Sequence, residues 1–267
     1  MAALTSYRGA EAIDCVGMQP IAEPDLGLCD NLKPNRFLGT ERKRFNGTLC
    51  MQGPLLSTKG DFIHMNILQR SALSWKVLTE YRYIFTYGYK KNLYPINLTF
   101  SLEDYPHLAG FQYLKDISLP NYTSARIVDR IIEGKILFEK VEKAQFYEEM
   151  VKPRLEALVH LKNSLDNEFV LYSYMPRMYP FVTSIKADYF ITSHINITSY
   201  VFIIQAASNG NAKCDFVCCS AFEQGERDYE TNQRVRTLLK KERIHIATNT
   251  STIFFDKIKP KNEKDIS

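Results

Sequence analysis

The chain has 267 residues, of which 45% are apolar and 24% are charged, and its formal net charge is +4. These proportions are usual for a soluble globular protein. No run approaches the ~20 consecutive apolar residues needed to cross a bilayer, and the first residues lack the basic flank and apolar centre of a secretory signal. We therefore expect a cytoplasmic protein that makes no membrane contact.

Residues 1–64 show no sustained helical or strand periodicity, and turn-forming stretches such as "AEPDLG" and "FNGT" recur along them. We predict a poorly ordered leader over this segment and a folded unit that begins at Met65. The basic run "ERKR" in the leader is either a nucleic-acid contact or a solvated cluster of charges.

The six cysteines show no Cys-x-x-Cys spacing of the kind that zinc sites use, and free thiols are the expectation. The sequence also lacks the phosphate-loop, dinucleotide-binding, H-E-x-x-H and G-x-S-x-G motifs. We therefore expect no metal and no cofactor.

The periodic pattern becomes clear from Met65 onwards. The stretch "NILQRSALSWKVLTEY" places Leu68, Ala72 and Trp75 on one helical stripe, which predicts an amphipathic helix. Two strand patterns, "RYIFTYG" and "LYPINLTFS", follow around the polar turn "YKKN" and predict a hairpin. Next, "EDYPHLAGFQYLKDI" and "SARIVDRIIEG" predict two helices, the first with Pro106 in its opening turn.

The second half of the chain turns from helix to strand. "QFYEEMVKPRLEALVHLKNSLD" is helical on both sides of a break at Pro153. Four strand patterns follow, and "NGNAK" is predicted as the hairpin turn between the last two; the four are "NEFVLYSY", "FVTSIKADYFITSHI", "TSYVFIIQAAS" and "KCDFVCCSAF". We then predict a helix over "DYETNQRVRTLLKKE", a strand over "RIHIATNTSTIFF" and a disordered charged tail over 257–267. Because strands cluster rather than alternate with helices, residues 65–256 are predicted to form an α+β domain.

His107 and Lys115 form the first candidate site. On one continuous helix they would lie about 12 Å apart at 1.5 Å per residue. A histidine titrates near neutral pH and can act as a general base or acid, and the lysine would supply a fixed positive charge. The alternative is a histidine hydrogen-bonded at a junction of helix and sheet, beside a solvated lysine.

A second candidate site follows the last strand of the predicted group. Ser220 leads through a loop to Asp228 and Tyr229, where a helix start would attract an anion and the hydroxyl groups could position phosphate or ribose. Alternatively, Asp228 is a helix cap and Tyr229 a packed aromatic residue. The basic residues that come next are either an RNA contact, with tyrosines as stacking surfaces, or a solvated face; they are Arg234, Arg236, Lys240, Lys241 and Arg243.

From Met65 onwards the order of motifs resembles the fourth class of phage-type nuclease-like domains, which have the barnase–EndoU–colicin–RelE fold. The hairpin that leads to "YPHLAGFQYLKDI", with its H-L-x-G-[FL]-x-x-L-x-D pattern, carries most of this resemblance. The strands "IKADYFI" and "CCSAF" and the stretch "RDYETNQ" carry the rest. The resemblance covers about three quarters of the chain and leaves residues 1–64 unmatched.

The resemblance implies a small antiparallel sheet with packed helices and a metal-independent ribonuclease activity of phage or mobile-element origin. In that chemistry a base takes the proton of the ribose 2′-OH, which attacks the adjacent phosphate, and an acid protonates the leaving oxygen. His107 would be the base or the acid, and Lys115 or Lys186 would stabilise the phosphate. Ser220 and Tyr229 would position it, and Gln233 would contact the substrate.

Two other functions remain open on the sequence alone. A non-catalytic module on the same fold would bind RNA or protein through a broad basic and aromatic surface. A toxin-like effector would cleave one specific RNA and be held in check by a neutralising protein. A nuclease differs from the first of these in needing His107, Lys115 and Ser220 or Tyr229 around one cleft.

Overall fold

The computed structural model describes residues 65–120, 122–206 and 214–258. The predicted leader, the "NGNAK" turn and most of the predicted tail lie outside the described residues. Short 3₁₀ turns lie at Leu102–Asp104, Phe111–Tyr113 and Pro176–Met178, and a π-helical turn lies at Tyr147–Val151. The helices and strands, in chain order, are α1 (Ile67–Leu78), β1 (Tyr81–Tyr89), β2 (Asn92–Thr99), α2 (Tyr105–Leu108), α3 (Ser124–Ile132), α4 (Phe138–Val141), α5 (Lys152–Asp166), β3 (Val170–Ser173), β4 (Tyr189–Ser193), β5 (Ser199–Gln205), β6 (Asp215–Glu223), β7 (Arg234–Arg236), β8 (Leu238–His245) and β9 (Ser251–Asp256).

The predictions for the first elements are confirmed. Helix α1 begins after Asn66, whose side-chain oxygen accepts a hydrogen bond from the Gln69 amide at 2.9 Å, and this satisfies one of the free N–H groups of the first turn. Leu68 and Trp75 of the predicted stripe are fully buried. Strands β1 and β2 pair in an antiparallel hairpin.

The strands of the described residues form a single sheet in the order β7-β3-β4-β5-β6-β2-β1-β8-β9. Neighbouring strands are antiparallel except for β2 and β6, which are parallel. The sheet is curled, and the Gly88 amide of β1 donates to the carbonyl of Thr237, the residue between β7 and β8. The α+β class therefore holds, but the predicted small antiparallel sheet is wrong: the sheet is mixed and has nine strands.

Two clusters of buried side chains cover the two faces of the sheet. Successive residues of a strand point to opposite faces, so Leu171 and Ile191 join Trp75 and Leu158 in the core beneath the helices. The opposite face carries an almost wholly aromatic cluster, made of Tyr172, Tyr174, Tyr179, Phe190, Tyr200, Phe202 and Tyr229.

The break predicted at Pro153 is a change of helix type, without a non-helical residue in between. The π-helical turn ends at Val151, and α5 starts at Lys152 with Pro153 in its first turn, where proline's missing N–H has no helical partner to lose. None of the helices in the described part of the chain is long and apolar enough to span a membrane.

The predicted helix over "DYETNQRVRTLLKKE" is wrong. Residues 229–232 form a bend and a turn, and the basic residues that follow lie on β7 and β8. Strand β8 pairs with β1 on one side and β9 on the other. Its leucines, lysines and glutamate are strong helix formers, but hydrogen bonding to two neighbouring strands outweighs that preference here.

The single helix predicted over "EDYPHLAGFQYLKDI" is also wrong. Helix α2 contains only four residues, and Gly110 ends it with a φ of +83° in the left-handed region, where glycine is favoured because it lacks a Cβ. A 3₁₀ turn over Phe111–Tyr113 follows. His107 and Lys115 therefore do not share a helix, and the 12 Å spacing expected along one does not apply.

Candidate functional site

The C-terminal half of β6 pairs with β5 on one side, and no strand of the described residues pairs with its other side. Strand β2 pairs with β6 only at residues 97–99 against 215–217. Beyond that point β2 ends, and both α2 and α5 contact β6. Side chains from separate parts of the chain therefore gather at this free edge.

His107 is exposed to solvent on α2, the short helix that follows β2. Its neighbours Tyr105 and Leu108 are fully buried, and the Tyr105 hydroxyl forms a 2.8 Å hydrogen bond with the Ser71 hydroxyl of α1. The Trp75 indole N–H also donates to the Ser101 carbonyl at 2.9 Å. Helix α2 and the residues just before it are thus anchored to α1, while the His107 imidazole stays accessible.

Arg154 of α5 contacts both the segment that follows α2 and strand β6. Its guanidinium Nη1 donates to the Ser220 hydroxyl at 3.2 Å. It also lies over the Tyr113 ring at 5.5 Å and over the Phe222 ring at 5.6 Å. None of the ion pairs formed between described residues includes Arg154, so a half-buried guanidinium is held between two aromatic rings with its charge not neutralised by a carboxylate.

Arg154 has no motif around it in the sequence that marks it as a site residue. The residue stands in an ordinary helical stretch, "KPRLEAL", and its partner Ser220 is 66 residues further along the chain. No local pattern in the sequence connects the two residues, because the contact exists only after α5 packs against β6.

Asp104 is the acidic neighbour of His107. Burial of its side chain raises the pKa of the Asp104 carboxyl, the nearby Glu103 raises it further, and the Ser101 amide and His107 oppose the change. Burial also raises the pKa of the Cys218 thiol well above its usual value, with Asp104 and Arg154 among the charged groups that act on it. Asp104, His107, Arg154 and Cys218 are therefore linked by electrostatic interactions at one end of the sheet.

Three more of the residues predicted for the site lie along this half of β6. Ser220 is on the strand itself and is 7% exposed. The Tyr229 ring packs 5.6 Å from Phe222, between ring centroids, and is 5% exposed. Lys186 has an exposed side chain, and its carbonyl accepts a hydrogen bond from the Cys219 thiol, next to Ser220. Lys115 is exposed beyond the second 3₁₀ turn.

The remaining predicted residues belong to β7, β8 and the turn before them. The Gln233 side-chain oxygen accepts a hydrogen bond from the Met175 amide at 2.7 Å, and its side-chain nitrogen donates one to the Met175 carbonyl at 3.1 Å. Lys240 pairs with Glu242 at 2.7 Å, and Arg234 is exposed on β7. Arg236 donates to the Ser173 hydroxyl. These residues make structural contacts in a region separate from Arg154.

Within the described part of the chain, no group of three or more His, Cys, Asp or Glu side chains is placed to hold a metal ion. Of the cysteines, Cys214, Cys218 and Cys219 lie in the described residues and are free thiols. Burial raises the pKa of Cys219 to about 11, so the thiol form predominates at neutral pH.

Arg154 of α5 thus lies against Ser220 of β6 and against the segment that follows His107, in a mixed α+β domain. The family model of the phage-Barnase-EndoU-ColicinE5/D-RelE like nuclease4 matches residues 67–258, from the start of α1 to just beyond β9. The match covers most of the chain, and the chain therefore belongs to this family of nuclease-like domains, as its motifs indicated. Neither the curated proteins nor the solved structures compared with the chain include a significant match.

Proposed function

We propose that this protein is a cytoplasmic ribonuclease that cleaves RNA by attack of a ribose 2′-OH on the adjacent phosphate, without a metal ion. The family supports nuclease activity in general and nucleic acid as the class of substrate. The observation that supports RNA cleavage in particular is the position of Arg154. Its guanidinium donates a hydrogen bond to Ser220, and its side chain lies beside Gly110, three residues after His107. Arginine suits phosphate recognition because its planar fork of N–H donors matches the phosphate oxygens.

In the proposed reaction His107 takes the proton of the attacking 2′-OH, a step for which an accessible imidazole is chemically suited. Asp104 donates a proton to the leaving 5′-oxygen. Burial raises the pKa of its carboxyl, and this increases the fraction of the protonated form that can donate. After cleavage the two groups exchange protons with water and return to their starting states.

Arg154 stabilises the negative charge that develops on the phosphate in the transition state. Ser220 acts as a positioning residue, because its hydroxyl accepts the hydrogen bond that orients Arg154. Tyr229 supports the Phe222 ring beneath the guanidinium. The exposed Lys115 and Lys186 supply further positive charge along the path of the RNA backbone.

The first test incubates the purified full chain with total RNA and with labelled oligoribonucleotides, with and without a chelator. We expect cleavage that survives chelation. His107→Ala should reduce the rate by about 10²- to 10⁴-fold, the usual contribution of a general acid or base. His160→Ala, which removes a half-buried imidazole on α5, is the matched control and should cleave at the normal rate.

A second arm of this test addresses the attacking group. An oligonucleotide with a 2′-O-methyl or 2′-deoxy sugar at the cut site should resist cleavage, and normal cleavage should leave a 2′,3′-cyclic phosphate. Efficient cleavage of DNA, or loss of cleavage on chelation, would contradict the proposal. RNA binding without cleavage would indicate a non-catalytic module, and cleavage of a single RNA species with toxicity to the host would indicate an effector held by a neutralising protein.

A further inference from the structure

A groove of about 1000 Å³ lies where the end of α5 meets strands β3, β7, β8 and β9. Its volume is at the upper end of the range for small-ligand sites in proteins. Asp166, the last residue of α5, lines this groove. Since α5 rises 1.5 Å per residue, about 18 Å of helix separates Asp166 from Arg154. The groove is therefore distinct from the site of the proposed cleavage.

Positive side chains dominate the charge of the groove. Arg236, Lys241 and Lys257 all line it, and none of the ion pairs formed between described residues includes any of them. Arg236 donates through Nε to the Ser173 hydroxyl at 2.6 Å and lies over the Tyr89 ring at 4.7 Å. Its contacts in the structure thus hold the guanidinium in place without neutralising it.

The acidic residues of the groove do not cancel this positive charge. The Asp166 carboxylate forms ion pairs with Lys162 and Arg243, each at 2.5 Å, and accepts a hydrogen bond from the Tyr83 hydroxyl at 2.7 Å. Glu168 is the other acidic residue in the lining. The three cations on the groove therefore exceed the carboxylate charge available to them, and the groove is suited to an anion.

Lys241 is the most enclosed of these cations, with 3% of its surface exposed. Its ammonium lies 4.8 Å from the centres of both the Phe169 and Phe254 rings and donates to the Asn167 carbonyl. Burial lowers the pKa of Lys241 to about 8, although Asp166 and Glu168 oppose the shift. An anion bound beside it would stabilise the charged form that burial disfavours.

Thr192 provides a second, independent observation that bears on the chemistry of the groove. The residue lines the groove and is fully buried, and its hydroxyl has no hydrogen-bond partner among the described residues. Leaving a buried hydroxyl unpaired is unfavourable. A polar group of a bound molecule would remove that cost.

Part of the groove lining is apolar and rich in rings, with Phe169, Phe254 and Phe255 among its residues. We propose that the groove binds a nucleoside phosphate, with the phosphate against Arg236, Lys241 and Lys257 and the base against the phenylalanine rings. Such a ligand combines the two features that the groove offers, since its phosphate is an anion and its base is a flat aromatic ring that stacks on aromatic side chains. Binding there requires no cleavage and extends beyond the proposed nuclease activity.

The test titrates the full chain with adenosine 5′-monophosphate, adenosine and inorganic phosphate by calorimetry. The monophosphate should bind more tightly than either part alone. Thr192→Val should weaken its binding by about three- to tenfold, the effect of one hydrogen bond, and Lys241→Met by about ten- to a hundredfold. Thr192→Val should fold at least as well as the natural chain, because it removes an unpaired buried hydroxyl, and Lys241→Met keeps an unbranched side chain of similar length without the charge that burial disfavours.

Two control variants make the same chemical changes elsewhere. Lys143→Met and Thr252→Val alter exposed residues outside the groove, and both should bind the monophosphate normally. Thermal unfolding of all four variants checks that they are folded. Failure of the monophosphate to bind at millimolar concentration, or binding that Thr192→Val and Lys241→Met leave unchanged, would overturn the proposal.

A further titration with a 5′-phosphorylated, 2′-O-methylated oligoribonucleotide separates two sources of the ligand. Tighter binding than the monophosphate, with the same sensitivity to Lys241→Met, would assign the groove to a nucleotide of a bound strand. Weaker binding would assign it to the free nucleotide. His107→Ala should leave monophosphate binding intact, so the failure of this proposal and of the proposed nuclease are distinguishable.

Discussion

Gly110 allows the segment that follows His107 to approach α5 closely, because it has no side chain. Its φ of +83° lies in the left-handed region. A Cβ at this position would lie 2.9 Å from Cδ of Arg154 and 3.2 Å from the Met150 carbonyl oxygen. The Arg154 side chain can bend away, but the Met150 carbonyl belongs to a helical turn. Any side chain here would therefore move the turn or displace Arg154 from Ser220.

We predict that Gly110→Ala lowers the free energy of unfolding by about 1–3 kcal/mol, the usual cost of a strained backbone position. Urea unfolding measures this loss. Because Arg154 must shift, the variant should also cleave RNA more slowly if the proposed function holds, even at temperatures where it remains folded.

Gly225→Ala is the control for this change. A Cβ at Gly225 would meet no atom within 4 Å, so its unfolding free energy should change by less than about 0.5 kcal/mol, as is usual for surface substitutions. Equal stability of the two variants would show that the turn does not press against α5 as described.

At the scale of elements, the sequence predicts those segments whose own periodicity matches their burial. Helix α1 is an example, since Leu68 and Trp75 recur on a stripe that is buried against the rest of the core. The same principle fails for β8, whose helix-forming residues are held as a strand by β1 and β9. The partners of such a segment are distant in the chain, and local propensity does not reveal them.

The candidate site follows the same division. His107 and Ser220 attract attention from their residue types and from the motifs around them. Arg154 carries no local signal, because its role depends on α5 packing against β6. The end of α2 at Gly110 is instead a local effect of a glycine in the left-handed region, which the prediction of one continuous helix overlooked. The contact of Arg154 with Ser220 is tertiary, and the sequence alone did not predict it.

The end of α5 is joined to β8 by a network of charges around Asp166. Arg243 of β8 and Lys162 of α5 both pair with its carboxylate at 2.5 Å, and the Asp166 side chain is 19% exposed. Water therefore screens these pairs less than it screens pairs on the surface. The network fixes β8 against the helix and borders the groove.

We predict that Asp166→Asn destabilises the fold by about 1–3 kcal/mol, because it leaves two partly buried cations without their carboxylate. Chemical unfolding monitored by circular dichroism measures the effect. Asp129→Asn is the matched control, since it breaks an ion pair with Lys76 in which both side chains are 45–47% exposed. That change should cost less than about 1 kcal/mol, and a similar cost for both would contradict the role given to Asp166.

At the scale of the whole molecule, the curled sheet carries the two proposed sites on one framework. The Arg154 site lies near the start of α5 and the groove near its end. The core cluster under the helices begins at Leu68, and the aromatic cluster on the other face extends to Tyr229. Strand β9, which ends at Asp256, completes the sheet. The contacts that define both sites thus lie between residues 65 and 258.

We therefore predict that a protein consisting of residues 65–258 folds cooperatively and unfolds within about 4 °C of the full chain, which corresponds to a difference of about 1 kcal/mol for a domain of this size. Differential scanning calorimetry of both proteins measures this. The shorter protein should also bind adenosine 5′-monophosphate and cleave RNA as the full chain does. A large fall in the unfolding temperature, or the loss of a cooperative transition, would mean that the remaining residues help to hold the sheet and its two sites together.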